Sequence, residues 1–239
     1  KSGQIARNNN KNLAGGKADL WVLNLLRAAA DGIIIGPKTL EAEENLTGHI
    51  FDKELLKARI EVLNKPPVPY NIIISKSGES IPYQHRIFKE QQVPVVIATS
   101  PDGAEYVVDN INCDYDLIDL NSNFNDQIET KLNIRENKVI ILVSGEDYNL
   151  NDKLLFNFLK QAGLDKISVE APSYAHYLIQ QQLLDELFLN RSGIYIGGPK
   201  FLNSNLQAAL STNEAPSAKT ITIHNYNSYF FYFRYKLDY

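Results

Sequence analysis

The chain has 239 residues and a mass of 27.0 kDa, enough for one large domain with a hydrophobic core. Its 24 basic and 28 acidic residues give a net charge of −4 and a pI of about 5.6, so the sequence lacks the basic surface typical of nucleic-acid binding. The longest apolar runs are strand-sized, so we expect no membrane insertion. The single cysteine, Cys113, excludes an internal disulfide, and no secretory signal is visible, so we expect a cytoplasmic protein.

The first two thirds of the chain alternate between helical patterns and short apolar runs. The spacing of apolar residues predicts helices over residues 20–30, 52–62 and 152–162, and strands over 31–36, 70–75, 94–99, 115–120, 139–143 and 167–170. Almost wholly apolar strands that alternate with helices are typical of a parallel sheet covered on both faces. We therefore expect an α/β fold with three αβα layers around a mostly parallel mixed sheet.

The last third of the chain has a different pattern. Short strands are predicted at 187–189, 193–196, 220–224 and 229–237, and a flexible loop at 203–216. In the last strand, Phe231, Phe233 and Tyr235 alternate with Tyr232 and Arg234. This alternation favours a C-terminal antiparallel hairpin with one covered face. No repeat or linker is visible, so we expect a single domain over residues 1–239.

Polar residues follow several of the predicted parallel strands. In parallel sheets flanked by helices, ligands bind at the carboxyl ends of the strands. The candidates are residues 36–39, Ser75, Thr99, Ser144, Gly145, Glu170, Gly197 and Gly198. Each of them alone could be an ordinary turn residue. Their recurrence after several strands favours a functional edge of the sheet.

Glu170 is the strongest single candidate, because a carboxylate at a strand end is costly to desolvate unless it meets hydrogen-bond donors. A heterocycle with N–H groups supplies such donors, although a surface acid is the plain alternative. Ser173 is predicted to be the N-cap of a helix over 174–182, whose free N–H groups would favour a cofactor phosphate. Pro172 would remove one of those donors.

Other catalytic signatures are missing from the sequence. The histidines lack metal-ligand spacing, and the zinc deaminase, Gly-x-Ser-x-Gly, Walker and Gly-x-Gly-x-x-Gly motifs do not occur. We therefore predict no metal site. The aromatic C-terminal strand could stack on a base, but a packed hairpin is the favoured interpretation.

Several stretches resemble the riboflavin-biosynthesis pyrimidine reductases, the C-terminal half of the bifunctional deaminase-reductase. These stretches are residues 25–43, 69–82, 169–171 with 184–187, and 192–198. The resemblance implies a dihydrofolate-reductase-like fold, a homodimer, NADPH as hydride donor and a small phosphoribosylamino-pyrimidine substrate. It also implies a first strand that would precede residue 1.

The same resemblance assigns site residues. It implies NADPH contacts at Thr39, Glu43, Ser75, Ala171, Pro172, Ser173 and Gly197. It implies substrate contacts at Arg27, Leu46 and Glu170, with Glu170 as the catalytic residue. His49 stands near a position that is often arginine in the family, which would weaken a phosphate contact.

The predicted function is an NADPH-dependent reductase that converts the ribosyl group of a 5-amino-6-(5-phosphoribosylamino)uracil-type substrate to ribityl. Two alternatives stay open. Another pterin or pyrimidine reductase could share the fold. A non-catalytic ligand-binding relative would fit two departures: Ser2, where the family has aspartate, and the turn at Ala171 and Pro172, which lacks the usual glycine.

Overall fold

A computed structural model describes residues 16–122, 139–192, 215–227 and 230–239. The elements in chain order are α1 (Lys17–Ala29), β1 (Gly32–Ile35), α2 (Pro37–Ala42), α3 (Lys53–Glu61), β2 (Tyr70–Ile74), a 3-10 helix (Arg86–Phe88), β3 (Val95–Thr99), α4 (Pro101–Asn110), β4 (Tyr115–Asp119), β5 (Val139–Val143), α5 (Asp152–Gln161), β6 (Ile167–Val169), α6 (Pro172–Gln180), β7 (Glu186–Ser192), β8 (Ser217–Tyr226) and β9 (Phe230–Asp238).

The chain divides into two compact units. The parallel-sheet unit comprises residues 24–171, and the antiparallel-sheet unit comprises residues 1–23 and 172–239. A single domain over residues 1–239 therefore stays a prediction. None of the helices in the described ranges has the length and apolar character that crossing a bilayer requires.

The parallel-sheet unit contains a six-stranded sheet in the order β4-β5-β3-β2-β1-β6, and every neighbouring pair is parallel. Strands β1, β3 and β5 are buried along their whole length, as expected when both faces of a sheet are covered. One core cluster joins Leu40, Ile87 and Val107 to alternate residues of these strands, namely Ile33, Ile35, Val95, Ile97, Val139, Ile141 and Val143. The expected α/β class with a C-terminal antiparallel hairpin is confirmed.

The antiparallel-sheet unit contains a three-stranded sheet in the order β7-β9-β8. The predicted hairpin is the pair β8 and β9, and Phe231, Phe233 and Tyr235 stack along one face of β9. On the other face, the Tyr232 hydroxyl donates to Asp19 of α1 at 2.8 Å. The predicted strand at 193–196 and nearly all of the loop at 203–216 lie outside the described residues.

Side chains cap the N-termini of three α-helices. Asp52, Ser100 and Asn151 accept backbone N–H bonds at the starts of α3, α4 and α5. Helix α6 differs from the prediction, because it begins at Pro172 and Ser173 is its second residue rather than its N-cap. The fixed φ of proline suits the first helical position, which moves the start of the helix towards Ala171.

Ionisation of Tyr83 should destabilise the parallel-sheet unit at alkaline pH. Burial raises the pKa of Tyr83 above its ordinary value of 10.0, and its hydroxyl donates to the Gly78 carbonyl at 2.9 Å. The folded chain keeps this proton where the unfolded chain loses it. The stabilisation is therefore complete below pH 10 and is lost as the pH rises through the folded pKa.

We expect the free energy of unfolding to fall above pH 10, and to fall less steeply in Tyr83→Phe. Urea denaturation at a series of pH values measures this dependence. Tyr148→Phe is the matched control, because that side chain is 57% exposed. An identical pH dependence in Tyr83→Phe and the unsubstituted protein would contradict the assignment.

Candidate functional site

The carboxyl ends of all six parallel strands lie at one edge of the sheet. The chain leaves β1 for β2 on one side, whereas β6 pairs with β1 on the other side. A reversal of strand order of this kind marks the place where ligands bind in open α/β sheets. The segments that follow β1 and β6 are therefore the first place to look for a site.

The polar residues at the end of β3 and after β5 form hydrogen bonds to the backbone of neighbouring loops. The Thr99 hydroxyl donates to the Lys76 carbonyl at 3.2 Å, and the Ser144 hydroxyl donates to the Asn151 carbonyl at 3.1 Å. Gly145 has a φ of +93°, and a Cβ at this position would lie 1.9 Å from the Asn149 carbonyl oxygen. The ordinary turn interpretation applies to these residues.

Glu170 and Arg27 form a bidentate ion pair. Arg27 Nε donates to Glu170 Oε1 at 2.9 Å, and Arg27 Nη2 donates to Glu170 Oε2 at 2.7 Å. The side chains are 4% and 12% exposed, respectively. Two parallel N–H to oxygen bonds fix the plane of the carboxylate. The structure thus brings together two residues that the resemblance assigns to the substrate.

The fold brings this pair together from distant parts of the chain. Arg27 lies in the last turn of α1, and Glu170 directly follows β6, where its N–H donates to the Ile34 carbonyl of β1 at 2.8 Å. An ionised carboxylate has more acceptor positions than the two that Arg27 uses. Glu170 can therefore accept a further N–H from a ligand while Arg27 holds it. The low exposure of Arg27 favours a role through Glu170.

Thr39, Glu43 and Leu46 lie on α2 and in the segment after it. Thr39 is half-buried, and the exposed Glu43 is the C-cap of α2. Leu46 is 8% exposed and belongs to the hydrophobic core. Its N–H donates to the Glu43 carbonyl at 2.9 Å, and a ligand contact at Leu46 stays a prediction.

His85 is a residue that the sequence analysis missed. Its ring is buried; Nδ1 accepts the Ile87 N–H at 3.1 Å, and Nε2 lies 3.0 Å from the Glu43 carbonyl oxygen. Because an N–H can only donate and a carbonyl can only accept, the ring is neutral with its proton on Nε2. His85 thus forms a hydrogen bond to the C-cap residue of α2. No pattern in the local sequence predicts this contact.

Ser75 follows β2, the strand beside β1. Its hydroxyl accepts the Gly78 N–H at 3.1 Å, which leaves the hydroxyl proton for donation. The next carbonyl, that of Lys76, accepts the Ser100 hydroxyl at 2.7 Å. Strand spacing places the ends of β2 and β6 about 10 Å apart, one strand on either side of β1.

The turn after Glu170 is compact. The Ala171 side chain is 7% exposed, and its Cβ would lie 3.6 Å from a Cβ built on Gly36, so the ends of β1 and β6 approach closely. Pro172 and Ser173 are exposed at the start of α6. Gly197 lies outside the described residues.

His49 is held by its own loop. Its Nδ1 lies 2.6 Å from the hydroxyl oxygen of Thr47, and the ring is half-buried. In the part of the chain that the structure describes, no three His, Cys, Asp or Glu residues gather as a metal site would require.

Comparison with protein families gives one match: the family described as the RibD C-terminal domain matches residues 3–218. No curated protein matches the chain.

Solved structures share the fold. A pyrimidine reductase-like protein from Corynebacterium diphtheriae superposes with a TM-score of 0.67 at 17% identity, covering 99% of this chain and 88% of that one. Acinetobacter baumannii RibD gives a TM-score of 0.62 at 14% identity and covers 100% of this chain but 55% of RibD. The Thermotoga maritima diaminohydroxyphosphoribosylaminopyrimidine deaminase/5-amino-6-(5-phosphoribosylamino)uracil reductase gives 0.50 at 13% identity, with 98% and 53% covered. The chain thus spans about half the length of the last two proteins.

Proposed function

Because this chain belongs to the RibD C-terminal domain family, we propose that it is an NADPH-dependent reductase of riboflavin biosynthesis. Its substrate would be of the 5-amino-6-(5-phosphoribosylamino)uracil type, and the ribosyl group would become ribityl. The observation that carries this proposal is the Arg27–Glu170 pair, in which Arg27 of α1 holds Glu170 at the carboxyl end of β6 beside β1. The Thermotoga maritima protein with the same fold is named as a reductase of this substrate.

In the proposed complex, Glu170 accepts an N–H group of the pyrimidine. The carboxylate is 12% exposed, so it is shielded from water yet accessible to a ligand. Hydrogen bonds to a charged acceptor are stronger when water is excluded. Arg27 fixes the direction of the two oxygens, and this direction sets the orientation of the heterocycle.

The residues of the parallel-sheet unit suit a nicotinamide cofactor. Thr39 and Ser75 offer hydroxyl donors for phosphate or ribose oxygens, and Glu43 offers an acceptor for ribose hydroxyls. In the turn after Glu170, this chain lacks the glycine that is usual in the family. The methyl group of Ala171 in this turn is buried and faces Gly36, so it does not extend into the solvent from which the cofactor would approach. We propose Thr39, Glu43, Ser75 and Ala171 as the cofactor contacts within this unit.

The protein's part in the reaction is to align and to exclude water. When bound, NADPH would supply a hydride to the first sugar carbon of the ring-opened substrate, where this carbon is double-bonded to the attached nitrogen, and the nitrogen would take up a proton. Glu170 holds the pyrimidine so that this carbon has one orientation, and Arg27 keeps Glu170 in place. Alignment of two reactants by fixed side chains is a major source of rate enhancement.

Calorimetric titration with NADPH tests the cofactor first, with NADH as the matched comparison. We expect micromolar binding of NADPH and a weaker affinity for NADH. A folded protein that binds neither would favour a non-catalytic ligand-binding relative. Binding of NADPH with turnover of dihydrofolate and none of the phosphoribosylamino-pyrimidine would favour another reductase of this fold.

We also propose that the chain forms a homodimer through the antiparallel sheet. Leu189 of β7 and Ile223 of β8 lie opposite Phe233 of β9, and they are 37% and 57% exposed. An apolar row across three strands is typical of a protein interface. Sedimentation velocity should show a dimer, and a shift towards monomer in Ile223→Lys. A monomeric unsubstituted protein would contradict this proposal.

A further inference from the structure

The C-terminus of α1 is held by cationic side chains. The last carbonyls of a helix have no partner within the helix and are commonly satisfied by a glycine-based cap. Here the Arg59 Nη1 group donates to the carbonyls of Arg27 and Ala28, each at 3.1 Å, and to that of Ala30 at 2.5 Å. Lys65 Nζ donates to the Ala29 carbonyl at 2.9 Å.

The buried guanidinium of Arg59 binds the backbone carbonyls at the end of α1. The residue is 1% exposed, and its Nε donates to the Pro66 carbonyl, so Arg59 donates to four backbone carbonyls in all. Burial lowers the pKa of Arg59, while nearby Asp31 acts in the opposite direction. A guanidinium can reach several carbonyls at once because its donors point in different directions within one plane. The ammonium group of lysine lacks this geometry.

The same network reaches the strand that carries Glu170. Asp31 accepts from Lys65 Nζ at 2.5 Å through Oδ1, and from the Lys166 N–H at 2.9 Å through Oδ2. Lys166 directly precedes β6, and β6 pairs only with β1 within the described sheet. The network therefore fixes both the last turn of α1 and the start of β6.

From this geometry we infer that Arg59 is a positioning residue for the proposed reaction: it holds the backbone of Arg27 so that the Arg27 guanidinium meets Glu170 in bidentate geometry. The catalytic consequence rests on the proposed function, whereas the effect on the Arg27–Glu170 pair does not. Arg59 acts through the Arg27 carbonyl, and Arg27 acts through Glu170.

Nuclear magnetic resonance tests the structural part without substrate. The Arg27 Nε–H signal, identified by its absence in Arg27→Lys, should exchange slowly with solvent because Glu170 accepts it. In Arg59→Lys we expect this exchange to be about tenfold faster. Lys57→Met, an exposed position of the same helix, should leave it unchanged. Slow exchange retained in folded Arg59→Lys would overturn the inference.

Kinetics separate positioning from a merely structural role. Arg59→Lys should lower kcat/KM for the pyrimidine about tenfold, but less than twofold when Arg27 is already methionine. Equal losses in both backgrounds would overturn the inference, since they would mean that Arg59 does not act through Arg27. If the unsubstituted protein shows no turnover, the proposed function fails and the exchange measurement still decides. If Arg59→Lys does not fold, Lys65→Met removes the neighbouring contact and should shift both readouts in the same direction.

Discussion

In Glu170→Gln we expect kcat/KM for the pyrimidine substrate to fall by about 100-fold or more, while the Kd for NADPH changes less than about threefold. Glutamine keeps the length of the side chain but loses the charge, and only one of its two terminal atoms can accept a hydrogen bond. Glutamine therefore cannot accept from both Arg27 donors, and its one oxygen must be shared between Arg27 and the substrate N–H. Steady-state kinetics and calorimetry measure the two effects separately.

Glu146→Gln is the matched control, because Glu146 is an exposed acid that follows β5 at the same edge of the sheet. It should retain activity within about twofold, as most surface substitutions have small effects. Parallel losses of NADPH and substrate affinity in Glu170→Gln would contradict the assigned role.

Stability must be separated from function at this site. Removing one partner of a nearly buried ion pair costs about 3–5 kcal/mol, because the other charge is left without its counterion. Replacing both partners with apolar residues is often close to neutral. We therefore expect Arg27→Met with Glu170→Leu to unfold near the midpoint of the unsubstituted protein and yet to lack activity.

Gly103→Ala should cost about 3 kcal/mol or more in unfolding free energy, although alanine normally stabilises a helix relative to glycine. Gly103 lies in the first turn of α4, and a Cβ there would be 2.1 Å from the Lys76 carbonyl oxygen and 2.2 Å from the Thr99 hydroxyl oxygen. The Lys76 carbonyl lies in the loop after β2 and accepts the hydroxyl groups of Thr99, the last residue of β3, and Ser100, so displacing it breaks these hydrogen bonds. Urea denaturation measures the loss.

The same substitution should also weaken NADPH binding, because Lys76 directly follows Ser75 and the collision would displace the loop of residues 75–78. Gly163→Ala is the control: its φ is +89° but no atom lies within 4 Å of the new Cβ, so only backbone strain of about 1–2 kcal/mol applies. A Gly103→Ala protein as stable as Gly163→Ala would contradict the close packing of α4.

The local sequence was sufficient to predict elements with a clear pattern of apolar residues, either continuous as in β5 or at helical spacing as in α5. The predicted strand at 139–143 matches β5, and the predicted helix at 152–162 matches α5 to within one residue. Strand β8 was harder to predict, because it runs over Ser217–Tyr226 and almost all of its residues are exposed. The length of β8 depends on its pairing with β9, and the local sequence pattern does not predict this pairing.

The candidate site was also only partly predictable from the sequence. The resemblance placed Arg27 and Glu170 at the substrate, but their bond joins positions 143 residues apart and depends on the register of β6 beside β1. Arg59 could have been noticed as a cation that shares a helix face with Leu55 and Leu56. Its partners are backbone carbonyls, which no residue pattern identifies.

The most direct test of the proposed reductase is product analysis with NADPH that carries deuterium at its transferable position. We predict that the phosphoribosylamino-pyrimidine gains this deuterium at the first carbon of the resulting ribityl chain, and that Glu170→Gln gives almost none of the labelled product. If the unsubstituted protein binds the pyrimidine and NADPH together but transfers no deuterium, the chain is not a reductase of this substrate.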